Sequence, residues 1–416
     1  MGWREGSGKR NRGRLILPAL ALAAVLAVIP ANHDSRAETA REITMECEIV
    51  PGSKKKTFGN ALDRSYQTYW NSYAGKGASI TVTVPEGEEA SGVWIQYYDH
   101  PHATAVQVRD ENGEWTEAAA TEGIFLSDYL ALPAGTKEFR VANPRSARKS
   151  TPIPVAEFHV YGKGDLPPEV QVWEPPAEKA DLMLLSAHPD DEILWFGGVL
   201  PVYAGVEKKA VQVCTMVPTL PRRRLEELDG LWTCGVRNYP VFGRYQDSFS
   251  LSLRDQYSRW DSTAVLRTVT GWIRQFQPEV IISHDLGGEY GHGAHRACAD
   301  AVIRALEVTN NPKKFLESWE KYGGWDVPKC YFHLYPENVI DFDWRVPLEA
   351  FGGRTAFEVA TEAFACHISQ QETEYRVEDW GPCDCSLFGL YRSLVGPDEE
   401  HNDLFENLRP QLRDEE

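Results

Sequence analysis

Two short stretches of this chain gather side chains suited to acid–base or metal chemistry. In the first, residues 181–198 (DLMLLSAHPDDEILWFGG), a short apolar run of strand type ends in Ser186-Ala187. His188, Pro189, Asp190, Asp191 and Glu192 follow, before an apolar-periodic helix opens at Ile193. Pro189 fixes φ and stiffens the turn, so His188 and Asp191 can aim at one point while Asp190 faces the space beside it. Imidazole plus carboxylate is a zinc-type donor set, and a catalytic zinc keeps three protein ligands and one open position. A blander role is also available, since either aspartate could cap the following helix. Capping needs one such residue, not two beside a histidine.

The second stretch, SHDLGGEYGHGAHRACADAV, follows the apolar run EVIIS. His292 and His295 stand three apart at the start of a helical pattern and so share a face. The glycines among them, Gly287, Gly288, Gly291 and Gly293, let backbone approach a ligand closely. H-x-x-H alone is a weak signal. Two clusters at strand ends of one α/β sheet are a stronger one, because open sheets place their chemistry at the carboxyl edge.

The elements that must position these residues alternate. Strand-like runs DLMLLSA, KAVQVCTMV, RNYPVF, EVIISH and KCYFHLY are separated by helical patterns over 193–204, 222–233, 263–276 and 295–306. That alternation predicts a mostly parallel, Rossmann-like sheet covered by helices over residues 181–400. No G-x-G-x-x-G follows the first strand, so a dinucleotide site loses its main support. Ahead of it, residues 42–163 have period two in SITVTVP, GVWIQYY, TAVQVRD, KEFRVAN and VAEFHVYG, which predicts an all-β jelly-roll sandwich. Residues 164–180 carry two Pro-Pro pairs and read as a stiff linker. Residues 401–416 read as a polar tail.

Composition bounds the partners. The chain has 416 residues, 42% of them hydrophobic, with 13 tryptophans, which is enough for two cored domains. The formal charge is −18, and the basic residues Arg4, Lys9, Arg10, Arg12, Arg14 and Arg36 all fall in the first 37 positions. An acidic body repels phosphate backbones, so nucleic acid is not an expected partner. The basic KRNRGR, the apolar run after it and Ser35-Arg36-Ala37 read as a secretory signal peptide over residues 1–37, with an uncleaved N-terminal anchor as its rival. Either reading places the body outside the cytoplasm, secreted or at the cell surface. Some of the eight cysteines are then expected to pair, a bridge from Cys214 to Cys234 or a free Cys214 both being open.

These residues resemble the LmbE/PIG-L family of zinc-dependent N-acetylglucosaminyl deacetylases. Its signature A-H-P-D-D-E stands at 187–192, its Y-x-H-x-x-H at Tyr290, His292 and His295, and its R-x-x-E helix is echoed by Arg223 and Glu226. Asp247 aligns with the family's acidic loop residue, and His367, Ser369 and Gln370 with its C-terminal H-x-S-Q. The resemblance implies that His188, Asp191 and His295 bind Zn2+, with Fe2+ or another divalent ion as a variant. It makes Asp190 the base that takes a proton from the zinc-bound water. It also implies a protonated His292 and Tyr290 at the substrate carbonyl, and Arg223 and Asp247 lining a sugar site. The substrate would be a carbohydrate with an N-acetylated amino sugar. The N-terminal region resembles discoidin-like (galactose-binding-like) modules at Ala61, Asp63, Thr68 and Trp70, implying glycan or cell-wall contact, although its aromatics could equally be core. A non-catalytic glycan-binding or adhesion protein is the alternative from another class.

Overall fold

The structure is a computed structural model that describes residues 38–217 and 220–408. The signal peptide or anchor expected over 1–37 lies outside the described residues, as does the end of the expected tail. The described residues belong to one compact unit. Among the described residues, no helix is long and apolar enough to cross a membrane.

Among the described residues nine strands come first: β1 (Glu48–Pro51), β2 (Trp70–Asn71), β3 (Ser79–Thr83), β4 (Ala90–Tyr97), β5 (Ala105–Arg109), β6 (Trp115–Ala120), β7 (Ser127–Thr136), β8 (Glu138–Ala142) and β9 (Pro154–Tyr161). They form two antiparallel sheets, β1-β3-β8-β5-β6 and β2-β9-β4-β7. Alternation decides which residues turn inward. Ile80, Val82, Phe139 and Val141 of one sheet and Val93, Ile95, Phe158 and Val160 of the other join one buried core. In the segment leading to β2, Asp63 accepts from the Thr68 hydroxyl (2.6 Å) and the Ser65 N–H (3.0 Å), while Ala61 and Trp70 are buried.

The second half is a six-stranded sheet in the order β12-β11-β10-β13-β14-β15. Its strands are β10 (Leu182–Ser186), β11 (Val211–Thr215), β12 (Val241–Phe242), β13 (Val280–Ser283), β14 (Lys329–His333) and β15 (Phe388–Ser393). All neighbours are parallel except β14 and β15. The helices are α1 (Asp191–Leu194), α2 (Pro221–Thr233), α3 (Leu253–Arg259), α4 (Ser262–Phe276), α5 (Gly293–Leu306), α6 (Leu316–Tyr322) and α7 (Ala356–Ala365). Leu182 and Leu184 face the core that contains α2 and α7, whereas Met183 and Leu185 face the one that contains α4 and α5. Both faces are covered, so these strands read as unbroken apolar runs.

Three expectations change. The helix expected over 193–204 starts two residues earlier, at Asp191, and is broken: α1 is one turn, and a π-helical turn occupies Pro201–Val206. All eight cysteines are free thiols. Cys214 and Cys234 belong to the cores on opposite sides of the sheet, so a bridge between them is ruled out. Residues 401–408 are anchored rather than frayed, since Leu404 and Phe405 are buried and Lys329 Nζ donates to Glu406 O (2.9 Å). Residues 164–180 are extended but not free. Gln171 and Trp173 are buried, and the Trp173 ring meets Trp232 and Tyr239 edge-on.

Candidate metal centre and active site

The chain turns left from β10 to β11 and right from β13 to β14, so β10 and β13 flank the switch point of the sheet. A crevice opens outside the carboxyl ends of strands at such a point. The two chemistry-bearing stretches are the loops that leave these two strands. They are tied together where they start, because the Ala187 N–H donates to His284 Nε2 (2.9 Å).

At the floor, three donor atoms converge. His188 Nδ1 lies 3.0 Å from Asp191 Oδ2, His295 Nε2 lies 3.3 Å from the same oxygen, and the two ring nitrogens are 3.4 Å apart. Ligands about 2.0–2.1 Å from a tetrahedral ion stand about 3.3–3.4 Å from one another, so the triangle fits a zinc-sized cation. The electrostatics agree. Burial lowers the affinity of His295 for a proton, yet Asp191 and Glu289 outweigh it and lift the imidazole up to about 10. The site thus favours a positive charge between two buried carboxylates, one that a bound cation would supply in place of the His295 Nε2 proton. Asp191 moves the other way, because His295 and His188 outweigh its desolvation and hold it well below the usual carboxylate range. Its oxygens are fixed by the His188 N–H (2.7 Å) and the Trp195 indole N–H (2.9 Å).

Asp190 sits beside this triangle and not in it. Its φ of 141° lies in a region that side chains rarely adopt, a strain of about 1–3 kcal/mol that surroundings must hold in place. Three contacts do so. Pro189 restricts the turn, the Asp190 N–H donates to Glu192 Oε2 (2.7 Å), and the carboxylate pairs with Arg223 Nη2 (2.9 Å). The rival capping role is absent, since neither aspartate makes a side-chain cap for α1. Burial raises Asp190, Arg223 partly counters that, and the net direction is up.

The cavity above has a volume of about 160 Å3, and its walls include Tyr290, His292, Asp247 and Tyr375. Tyr290 is 47% exposed at the mouth, and burial with the nearby Asp191 holds its hydroxyl proton firmly, leaving it a donor. His292 corrects an expectation. Its Nδ1 accepts from the Ala294 N–H (3.1 Å) as the cap of α5, and burial with the neighbouring His295 and His188 lowers it to about 3. It is therefore a neutral imidazole with its proton on Nε2, a donor without charge. Arg223 also differs from a simple sugar contact, since it is 9% exposed and spends Nη2 on Asp190 and on Pro189 O (2.6 Å). Asp247 is placed at the lip, 3.7 Å from His188 Nε2 and 3.9 Å from Arg223 Nη1.

One residue behind the ligands went unassigned in the sequence. Glu289, 2% exposed, is a hub. Its Oε2 lies 2.8 Å from both His284 Nδ1 and His295 Nδ1, and its Oε1 lies 2.7 Å from His333 Nδ1. His367 Nε2 stands 2.8 Å from Glu192 Oε1, with both side chains fully buried, and Ser369 donates to Glu226. Glu289 orients His295, and Glu192 holds the Asp190 N–H.

Residues 183–306 match the family model described as PIG-L: GlcNAc-PI de-N-acetylase. A 1D-myo-inositol 2-acetamido-2-deoxy-alpha-D-glucopyranoside deacetylase of Catenulispora acidiphila is 27% identical over 217 residues, which are 45% of this chain and 65% of that protein. The protein of the same name from Frankia alni is 27% identical over 38% of this chain and 63% of its own length. The chain thus spans under two thirds of those relatives. Among solved structures, N,N'-diacetylchitobiose deacetylase from Pyrococcus horikoshii aligns at 18% identity with a TM-score of 0.36, over 47% of this chain and 71% of that one. The stretch 183–306, from β10 through α5, carries a PIG-L/LmbE-type domain whose relatives are named as deacetylases of acetamido-deoxy-glucose compounds.

Proposed function

We propose that this chain is a divalent-metal-dependent hydrolase that removes the N-acetyl group from an N-acetylglucosamine-type amino sugar, releasing acetate and a free amine. The observation that carries the reading is the triangle of His188, Asp191 and His295 donor atoms, 3.0–3.4 Å on a side, with the separately held carboxylate of Asp190 beside it. Those three residues would hold the ion, zinc being the first choice for two imidazoles and a carboxylate, with Fe2+ next. Bound there, the ion would supply Lewis acidity that an unreactive amide needs.

The chain's own groups do the rest. Asp190, raised above its ordinary range by burial and aimed by Arg223, takes the proton of the attacking water as its oxygen adds to the acetyl carbon. The Tyr290 hydroxyl and the His292 Nε2–H donate to the oxygen on which negative charge develops. When the C–N bond breaks, the proton held by Asp190 passes to the leaving nitrogen, giving amine and acetate. Asp247 at the lip is placed to accept from sugar hydroxyls.

Two parts of the reading concern the rest of the chain. Residues 1–37 are taken as an export signal or anchor, on their basic and apolar pattern, and N-terminal sequencing of the protein from its source checks it. The two N-terminal sheets are taken as a galactose-binding-like sandwich that contacts glycan. Acetate release from N-acetylglucosamine oligosaccharides with added zinc tests the catalytic reading. Asp190→Ala should fall by about 100-fold or more, and equal rates for the two proteins would refute it.

A further inference from the structure

A second cavity, of about 290 Å3, opens between β4 and β9 of the four-stranded sheet and the second half of α2. Tyr66, Trp94, Gln96, Glu157, Asp229 and Trp232 line it. It is separate from the catalytic cavity but shares two walls with it. Helix α2 gives Arg223 to one and Asp229 and Trp232 to the other. The chain after α7 gives Gln370, Thr373 and Tyr375 to one and Cys366 and Ile368 to the other.

Most polar groups here are accounted for by structure. Asp229 accepts from Tyr66 Oη (2.7 Å) and Gln171 Nε2 (2.6 Å), and Gln96 Nε2 donates to the same tyrosine oxygen (2.7 Å). That network ties the sheet, the 164–180 segment and α2 together, and it explains why Asp229 is there. Glu157 is different. It is 2% exposed, its Oε1 takes the Ser65 N–H (2.7 Å), and its Oε2 has no hydrogen-bond partner. The nearest basic nitrogen, His159 Nε2, is 4.0 Å away, and His159 is itself engaged through Nδ1 by Glu42 (3.0 Å). A buried carboxylate oxygen without a donor costs about 1–3 kcal/mol, so a bare one lining a cavity marks where a donor is wanted.

The walls restrict what that donor belongs to. The indole N–H of Trp94 is committed to Ser127 Oγ (2.8 Å) and that of Trp232 to Pro168 O (2.7 Å), so both rings offer carbon to the cavity. Glu157, Asp229 and Glu169 give the lining an acidic character that Arg64, already paired with Glu42 (2.9 Å), does not cancel. Anions are disfavoured, and a compact ligand with an ammonium, further hydroxyl donors and an apolar face is favoured. At about 290 Å3 the cavity is at the small end of ligand sites, near one sugar ring.

We propose that this cavity binds an amino-sugar unit, with its ammonium on Glu157 Oε2 and its C–H face toward Trp94 and Trp232. The choice of a sugar amine rests on the deacetylase reading, because that reaction leaves one. The site would hold a deacetylated unit next to the catalytic cavity. Burial pushes Glu157 up to about 7 and Asp229 up to about 6, and a cation set among them supplies the charge that both lack.

Calorimetric titration of the full chain with glucosamine and with glucose tests this, in wild type, Glu157→Gln and Asp190→Ala. Glucosamine should bind wild type and Asp190→Ala alike, and Glu157→Gln should weaken it about tenfold or more. Glucose, lacking the ammonium, should bind wild type about as weakly as glucosamine binds Glu157→Gln. Equal binding by wild type and Glu157→Gln, or no saturable binding by wild type, overturns the proposal. Should Glu157→Gln fail to fold, Thr233→Trp, which fills the cavity from α2, must give the same loss. Absent binding with acetate release intact defeats only this proposal, and absent acetate release with binding intact defeats only the catalytic reading.

Discussion

Replacing Glu289 with glutamine should weaken the metal site without touching a ligand. Glu289 receives three imidazoles, at 2.8, 2.8 and 2.7 Å, and one of them belongs to His295, whose other nitrogen points into the donor triangle. Its charge makes Nδ1 of His295 the proton-bearing atom and leaves Nε2 free to bind a cation. Glutamine keeps the volume and one acceptor oxygen, but it loses the charge and turns an N–H2 toward at least one imidazole. Outer partners of this kind are worth about 10–100-fold in metal affinity, or about 1.4–2.7 kcal/mol. Alanine would instead leave the buried ring nitrogens of His284 and His333 without their partner, at about 1–3 kcal/mol each, and threaten the fold. Zinc affinity is read by competition with a fluorescent chelator, with thermal melting of the metal-free protein alongside. Glu320→Gln, on the exposed α6, is the control. Zinc affinity for Glu289→Gln within twofold of wild type would refute the view that this carboxylate sets the ligand's tautomer and basicity.

Other outcomes follow from neighbouring contacts. Trp195→Phe removes the indole N–H from Asp191 Oδ1 (2.9 Å) and should cost about 1 kcal/mol of zinc affinity, on the same competition assay. Arg223→Leu takes away the cation that holds Asp190 down, so the acidic limb of the pH profile for acetate release should move to higher pH, with a lower plateau. Glu157 has a folded value of about 7 against 4.5 for the free side chain, so the folded state holds its proton longer than the unfolded chain does. Stability from this group is therefore present at about pH 4.5 and lost as pH rises to about 7. Glu157→Gln should be more stable than wild type to urea at pH 8, by on the order of 1–3 kcal/mol, and show little gain at pH 5.

Much of the site was legible because its residues break a pattern. His188 to Glu192 interrupt two apolar runs, and His292 and His295 open a helix after a buried strand, so clustering alone flagged them. Glu289 was hidden for the opposite reason. In GGEYGHG it looks like one more surface acid in a glycine-rich loop, and only the fold brings His284 and His333 to it. Trp195 reads as core, which it is, and nothing in the pattern reveals that its N–H serves Asp191. Among strands, β7 escaped because Pro133 and Gly135 resemble a turn. It lies at the edge of its sheet, where proline is tolerated. β6 escaped because WTEAAA is half exposed and its alternation is faint. The expected disulfides failed because spacing says nothing about which side of a sheet a cysteine faces.

The two adjacent aspartates show how one turn supports two different jobs. Asp191 is buried and Asp190 mostly so, and desolvation pushes both upward. What separates them is which cations each can reach. Asp191 touches His188 and His295, which outweigh its burial, and it stays ionised as a metal ligand must. Burial raises Asp190, its carboxylate neighbour adds to that, and Arg223 with the more distant His367 and His188 only partly counters it, so the net direction is up. Opposite directions on neighbouring groups are the pattern expected when one carboxylate binds and the other exchanges protons. The backbone at φ 141° makes the division possible, because a helical Asp190 would follow Asp191 around the same axis. Relaxing that one dihedral, as loss of Glu192 Oε2 from the Asp190 N–H would, should bring the two carboxylates' environments together and abolish the base before it abolishes the ligand.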